Sequence, residues 1–397
     1  MITFFSDPFD MPNSDDYALS FSCDYEINFT YNSNARIKHL KELDVNTKEF
    51  SIIALRFLNP GLFNGDFDTP LIQKFGNDIF EKIKQNKNIW LIIFDIYDET
   101  KCLTEKLPTI VVEDKRNSLS DRTILFNSSR NKNNPHNLFK FKYTIPYWIK
   151  HFHEEIKKGI WNFNSIVNEH KLESKSKLFL CLMNNARMSR NIFYRMIQNN
   201  NNIKDNIIMS FVAEGIRLNN DVSDVRTMDT DRYQDSSWYS ATLFSVVFET
   251  SWNNDFFTEK IFKPILNEHP ILALQNKSYF EYLNDLGINL MHEPFTNRNY
   301  QPTALTETSV CQEMVKDLYN EILKLNSMSH EQVYYSLYDD ELIQIRKQNK
   351  KRLLDKKYCI GQMNRYVEQA TLDIKTTYSM LKFKQATIDI KKNHYNG

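Results

Sequence analysis

Two segments of this 397-residue chain place charged side chains where a helix begins. In "FETSWNNDFFTEKIFKPILNEHPILAL" (248–274), Thr258, Glu259 and Lys260 open a short helical pattern between two apolar strands. A threonine at that point caps first-turn N–H groups, and a glutamate suits the positive end of the helix dipole. A lysine does not suit it. A cation beside N–H donors makes a site for a phosphate, and the adjoining carboxylate can accept hydrogen bonds from a ribose diol. A plain capped helix with one solvated lysine carries the same triplet, so the triplet alone does not decide the matter. In "FLCLMNNARMSRNIFYRMI" (179–197), Asn185, Arg187 and Arg190 stand in the turn from a strand into a helix. Guanidinium groups are disfavoured at a helix N-terminus by the macrodipole and call for an anion. Arg187 reads equally well as a solvated surface arginine.

A third segment, "WLIIFDIYDE" (90–99), offers Asp95, Asp98 and Glu99 where a buried strand emerges. A positioned carboxylate can take the proton of an attacking hydroxyl. Asp95 directly follows the apolar run and suits a strand-end turn, while Asp98 and Glu99 lie far enough out to reach a ligand.

Composition removes several alternatives. Only 8 glycines occur in the chain, and neither a GxGxxG loop nor a Walker A loop is present, so any nucleotide must be held by helix ends and side chains. The 50 basic and 50 acidic residues cancel, leaving no global field toward nucleic acid or anionic membrane. The cysteines, Cys23, Cys102, Cys181, Cys311 and Cys359, and the histidines lack metal-site spacing, so no metal is expected. The longest apolar run, "IWLIIF", is too short to span a bilayer. "MITFFSDPFDM" has no basic n-region, and a cytoplasmic protein without a membrane span is expected.

These residues need strands to carry them. "MITFFS", "FSIIALRFL" (50–58), "NIWLIIFD" (88–95) and "RTILFNSS" (122–129) read as strands, with a helix over 69–87 completing a βαβ unit and another over 145–160 leading out. A second alternation runs through "SKLFLCLMNN" (176–185), a helix from Met188, "NIIMSF" (206–211), "SATLFSVVFETS" (240–251), a short helix after Thr258 in which Pro264 removes a backbone bond, and "HPILAL" (269–274). The tail from Gln312 is helical by pattern. The expected fold class is α/β: two Rossmann-like domains, 1–160 on the acceptor side and 161–310 on the nucleotide side, facing across a cleft, with C-terminal helices over 311–397 packing back across both.

Together, "NNARMSRNIFYRMI", then "FSVVFETSWNNDFFTEKIF" and "HPILAL", resemble the α-1,3-fucosyltransferase family, whose donor half carries an RNxFY-like stretch and a FENS...YVTEK signature. The resemblance covers residues 176 to 290 and implies the GT-B architecture. It implies a metal-independent, inverting transfer of fucose or a related sugar from GDP-fucose or another nucleoside-diphosphate sugar, which is a substrate and not a cofactor, to a glycan or other hydroxyl acceptor. Carried over position by position, Arg190 and Lys260 would hold the diphosphate, Glu259 the ribose, and Glu249 would line the sugar pocket. The chain departs from the family in reading Phe248-Glu249-Thr250-Ser251, in having "NIIMSF" for a Gly-rich turn, and in lacking the acceptor-side motifs. Nucleotide-sugar binding survives these changes better than fucose specificity does. The lack of a Golgi-type anchor agrees with a soluble microbial or viral relative.

Three rivals remain. A metal-dependent transferase would use Asp66-Phe67-Asp68 or Asp229-Thr230-Asp231, although neither follows an apolar strand and both suit turns. A nucleic-acid-binding protein would use "RKQNKKRLLDKK" (346–357), and it merges with the first reading if the acceptor is a modified DNA base; charge runs on helices are usually solvated faces. A non-catalytic protein with a transferase fold is the third. The family uses a glutamate of the first domain as its base, which favours Glu99. Separate Glu99→Gln, Asp98→Asn and Asp95→Asn variants are expected to include one whose turnover falls by about 10² to 10⁴ with donor affinity retained. Three active variants would move the base elsewhere.

Overall fold

The computed structural model describes residues 3–6, 36–57, 75–95, 122–127, 141–144, 147–161, 163–167, 169–216, 218, 235–249, 257–295 and 306–359, with isolated helical positions up to 379. Compactness divides the chain into Met1–Tyr147 with Ile360–Gly397, and Trp148–Cys359. Within the second unit, residues on both sides of the expected boundaries at 160 and 310 pack together. Ile149 and Phe152 share an apolar cluster with Phe262, Tyr279 and Leu283, which assigns the helix around them to the second unit. Val315, Leu318 and Ile322 share another with Phe179, Phe193 and Phe244, which brings the C-terminal helices into that unit too.

The first unit holds a sheet of six strands: β1 (Thr3–Ser6), β2 (Arg36–His39), β3 (Ser51–Phe57), β4 (Ile89–Asp95), β5 (Thr123–Asn127) and β6 (Phe141–Thr144). Their order is β2-β1-β3-β4-β5-β6, and every pairing is parallel. Helix α1 (Asn77–Gln85) crosses between β3 and β4 and buries Phe80 and Ile83. A continuous apolar run such as β4's is what a strand covered on both faces requires, and Ile89, Trp90 and Leu91 are fully buried. Where the strands begin, Asn86 donates to the carbonyls of Val45 and Thr47, and Arg122 donates to those of Lys84, Asn86 and Ile89. Polar side chains thus satisfy carbonyls that no ladder reaches.

The second unit holds β7 (Lys177–Met183), β8 (Ile207–Phe211), β9 (Thr242–Val247) and β10 (Ile271–Ala273), all parallel in the order β10-β9-β7-β8. Around them lie α2 (Tyr147–Lys157), α3 (Met188–Gln198), α4 (Asn201–Lys204), α5 (Ser236–Ala241), α6 (Glu259–Leu266), α7 (Lys277–Asp285), α8 (Glu307–Asn326), α9 (His330–Leu337) and α10 (Asp340–Leu354). All six residues of β9 are buried, as a central strand demands. The tail is a succession of helices. Thr306, Ser329 and Asp339 cap three successive helices, the first two as capping boxes.

Where the strands of this sheet begin, a polar cluster ties the last helices down. His170 donates from Nε2 to the Asn267 carbonyl at 2.7 Å and accepts at Nδ1 from Lys175 Nζ at 2.7 Å. His269 donates to the Thr242 carbonyl at 2.8 Å and accepts from Ser245 at 2.8 Å. The Lys175 ammonium and the Arg346 guanidinium both lie over the Tyr338 ring, at 5.2 and 5.4 Å. Both histidines are used as neutral rings, so protonation breaks an accepted bond and sets a cation against Lys175. Burial, reinforced by Lys175, pulls His170 down to about 3, and burial pulls His153 of α2 down to about 4. Between those values and 6.5 the unfolded chain binds more protons at these two histidines than the folded one, so their contribution to stability is complete above pH 6.5 and is lost as pH falls through this window. The melting temperature is therefore expected to fall steadily from pH 7 to pH 4.5, and less steeply in His153→Gln and His170→Gln proteins; a flat wild-type profile would contradict the neutral assignment.

Candidate functional site

The segments singled out by sequence meet in the second unit, beyond the C-terminal ends of β7 and β9. This is the edge of an open parallel sheet at which ligands bind. β7 ends at Met183 and the chain turns through Asn185 and Arg187, both exposed, into α3. Arg187 is the N-cap residue of α3, and its side chain makes no capping bond there.

Arg190, one turn into α3, is not at the surface. It is 2% exposed. Its Nη1 donates to the Asn185 carbonyl at 3.1 Å, and its Nη2 to the carbonyls of Phe248 at 3.0 Å and Glu249 at 3.3 Å. Burial pulls its pKa down, while Cys181, Glu249 and Glu259 act against that and Arg187 adds to it. The sequence reading gave Arg190 an external anion. In the structure its guanidinium meets backbone carbonyls where β9 ends, with acidic side chains close by.

Glu249, two residues beyond β9, is 3% exposed. Its Oε1 accepts from the Thr258 N–H at 3.1 Å and from the Tyr279 hydroxyl at 3.2 Å, and its Oε2 accepts from the Thr258 hydroxyl at 2.6 Å. Burial pushes this carboxyl up, and Lys260 and the two Thr258 donors pull it back. The carboxylate expected to line a sugar pocket is engaged by its own chain.

Thr258 is the N-cap of α6, as its type and place suggest, and its hydroxyl accepts from the Lys260 N–H at 3.3 Å. The same oxygen accepts from Lys260 Nζ at 3.2 Å, and Nζ pairs with Glu259 Oε1 at 2.7 Å. The Lys260 side chain is 25% exposed against 9% for Glu259. Of the charged residues in this cluster, Lys260 and Arg187 are the ones that reach solvent. Pro264 lies inside α6, which is eight residues long, and the His269 N–H returns to the Pro264 carbonyl at 2.9 Å to close it.

Sequence reasoning passed over Tyr279. It is fully buried in α7, its backbone N–H is held by the N-cap side chain of Asn276, and burial with the Glu249 charge raises its pKa. Asp95 closes β4 in the first unit, with backbone partners Phe57 and Asn127, while Asp98, Glu99 and both Asp-x-Asp motifs lie outside the described residues. The basic stretch over 346–357 is not one solvated face. Arg346 is buried and pairs with Glu293 through Nε at 2.9 Å and Nη2 at 2.7 Å, Lys350 pairs with Glu268 at 2.8 Å, and Arg352 lies over the Tyr358 ring.

Among the described residues, no group of three or more His, Cys, Asp or Glu side chains is placed to hold a metal ion, and no helix is long and apolar enough to cross a membrane. Cys181, Cys311 and Cys359 are buried free thiols, and burial pushes Cys181 up to about 12.

Comparison with known proteins finds no matching protein family and no matching curated protein. Among solved structures the chain is similar to T4 phage BGT in complex with UDP and Mn2+, at 8% identity and a TM-score of 0.35 over 92% of this chain and 99% of that one. It is also similar to T4 phage BGT in complex with its UDP-glucose substrate, at 10% identity and a TM-score of 0.32 over 93% and 98%. A likeness at this level carries no inference about the site, which stands on its own geometry.

That geometry separates two arginines of one strand-to-helix turn. Arg190→Ala is expected to lower the unfolding free energy by about 3 to 5 kcal/mol, the range for removing one partner of a buried charged network. Arg187→Ala is expected to change it by less than about 0.5 kcal/mol, as surface substitutions do. Urea titration of both variants checks this, and a fully stable Arg190→Ala protein would contradict the internal role.

Proposed function

We propose that this protein is a glycosyltransferase of the GT-B kind that binds a nucleoside-diphosphate sugar where β9 passes into α6. The observation that carries the reading is Lys260: a partly exposed cation in the first turn of a capped helix, beyond the carboxyl edge of a parallel sheet. The positive end of the helix dipole and a lysine together meet the charge of a diphosphate. Exposed Arg187 and Asn185 supply further donors from the neighbouring turn, and the Glu259 carboxylate stands beside Lys260 to accept from the ribose. The resemblance of residues 176–290 to the α-1,3-fucosyltransferases supports the same placement of Lys260 and Glu259.

In this reading the acceptor hydroxyl attacks the anomeric carbon with inversion while the bond to the diphosphate breaks. Lys260 and the start of α6 stabilise the charge that develops on the leaving group, fixed in place before the reaction begins. Divalent metal is then not required. Fucose remains the proposed sugar on the strength of the family signature, and a glycan or other hydroxyl compound the proposed acceptor. Pairing within the basic stretch, at Arg346 and Lys350, removes two of the cations that a nucleic-acid acceptor would need, so the DNA reading is not preferred.

A thermal-shift screen against GDP-fucose, UDP-glucose and related nucleotide sugars tests the proposal, because a ligand that binds only the native state raises the melting temperature by mass action. A shift is expected with at least one of them, and Lys260→Ala is expected to lose about 1.5 to 3 kcal/mol of that binding, the contribution of a charge-assisted hydrogen bond. Turnover is expected to survive a chelator. Activity lost to chelation and restored by manganese would bring Asp229 and Asp231 forward instead.

A further inference from the structure

Three separate stretches of chain converge on the Glu249 side chain. Glu249 itself follows β9, Thr258 starts α6, and Tyr279 belongs to α7, which follows β10. The Thr258 hydroxyl has one hydrogen, given to Glu249 Oε2 at 2.6 Å, and its lone pairs take the Lys260 N–H at 3.3 Å and Lys260 Nζ at 3.2 Å. The bonding capacity of that hydroxyl is thereby fully used. Its orientation is set by Glu249, and it sets the direction of the Lys260 ammonium.

Glu249 is set in its turn. The Tyr279 hydroxyl reaches Oε1 at 3.2 Å, and Tyr279 is immobilised at its backbone by Asn276 at 3.0 Å and by full burial of its ring. On the main-chain side, the Glu249 carbonyl is held by Arg190 at 3.3 Å. A residue fixed at carbonyl and carboxylate has little freedom to turn toward a ligand.

We infer that Tyr279 is a positioning residue of the donor site, acting through Glu249 and Thr258 to aim Lys260 at the diphosphate. The inference rests on the donor-site reading above. It replaces a sugar-contacting Glu249 with one that never touches the substrate, and it assigns to α7 a part in nucleotide affinity that α7 exerts without reaching the ligand. Lys260 in an isolated helix would sample several rotamers. Here the hydroxyl at 3.2 Å and the Glu259 carboxylate at 2.7 Å hold its ammonium, and the first of these holds is only as firm as the network behind it.

The test is a double-mutant cycle read by nucleotide affinity. Wild type, Tyr279→Phe, Lys260→Ala and the double variant are titrated calorimetrically with UDP, GDP and ADP, and the melting temperature of each is recorded. Tyr279→Phe is expected to weaken binding about tenfold, as loss of one buried hydrogen bond to a charged group would. In the Lys260→Ala background the same change is expected to have no further effect, because the group being aimed is gone. Wild-type affinity in Tyr279→Phe, or an equal loss in both backgrounds, overturns the inference; the second result is what a purely structural role would give. Should Tyr279→Phe not fold, Thr258→Val breaks the same path from the other side and Thr258→Ser restores it. Loss with valine and recovery with serine support the inference, and undiminished binding with valine overturns it. A wild-type protein that binds none of the three nucleotides removes the donor-site reading and this inference with it. Binding that Lys260→Ala abolishes and Tyr279→Phe leaves untouched keeps that reading and overturns the inference alone.

Discussion

The Arg190 guanidinium joins the two halves of the candidate site from within. Its bonds to the carbonyls of Asn185, Phe248 and Glu249 fasten the β7–α3 turn, which carries exposed Arg187, to the end of β9, beyond which α6 carries half-exposed Lys260. A buried guanidinium is expensive to desolvate, so it persists only where several acceptors converge on it. Strand ends in a parallel sheet leave carbonyls with no further strand to receive them, and a cation inserted among them satisfies both sides at once. The positions of Arg187 at one turn and of Lys260 beyond the other follow from that fastening.

Much of this was legible in the sequence, and the reasons are local. β3, β4, β7 and β9 announce themselves because strands covered on both faces need unbroken apolar runs. β2 and β6 do not. "RIKH" and "FKYT" are the edge strands of their sheet, four residues each, and an edge strand can carry as many polar residues as a loop does. Thr258 could be assigned as a cap from its type and place, since a cap depends on two or three neighbouring residues. The three caps of the C-terminal helices were equally available, and Ser329-x-x-Gln332 is a capping box in plain sequence.

The roles of the buried polar residues were not legible. Arg190 and Arg187 have the same type and stand in the same turn. What distinguishes them is which carbonyls lie within reach, and Phe248 and Glu249 are nearly sixty residues away along the chain. The hydrogen bonds of Glu249 are hidden in a one-dimensional motif for the same reason. Its partners, Thr258 and Tyr279, become visible only when α6 and α7 are placed side by side. Tyr279 gave no signal at all, because an aromatic on the apolar face of a helix reads as core, and only the direction of its hydroxyl makes it more than that.

The central claim is that nucleoside diphosphate binds at the start of α6 beside the β7–α3 turn. Amide hydrogen exchange with and without saturating nucleoside diphosphate tests it most directly, since each exchange rate reports local opening at a known residue. The account expects slower exchange at Thr258 to Phe262 and at Asn185 to Ser189, with the amides of β8 and α8 unchanged. Nucleotide binding that protects some other region while leaving these two segments as they were would contradict it.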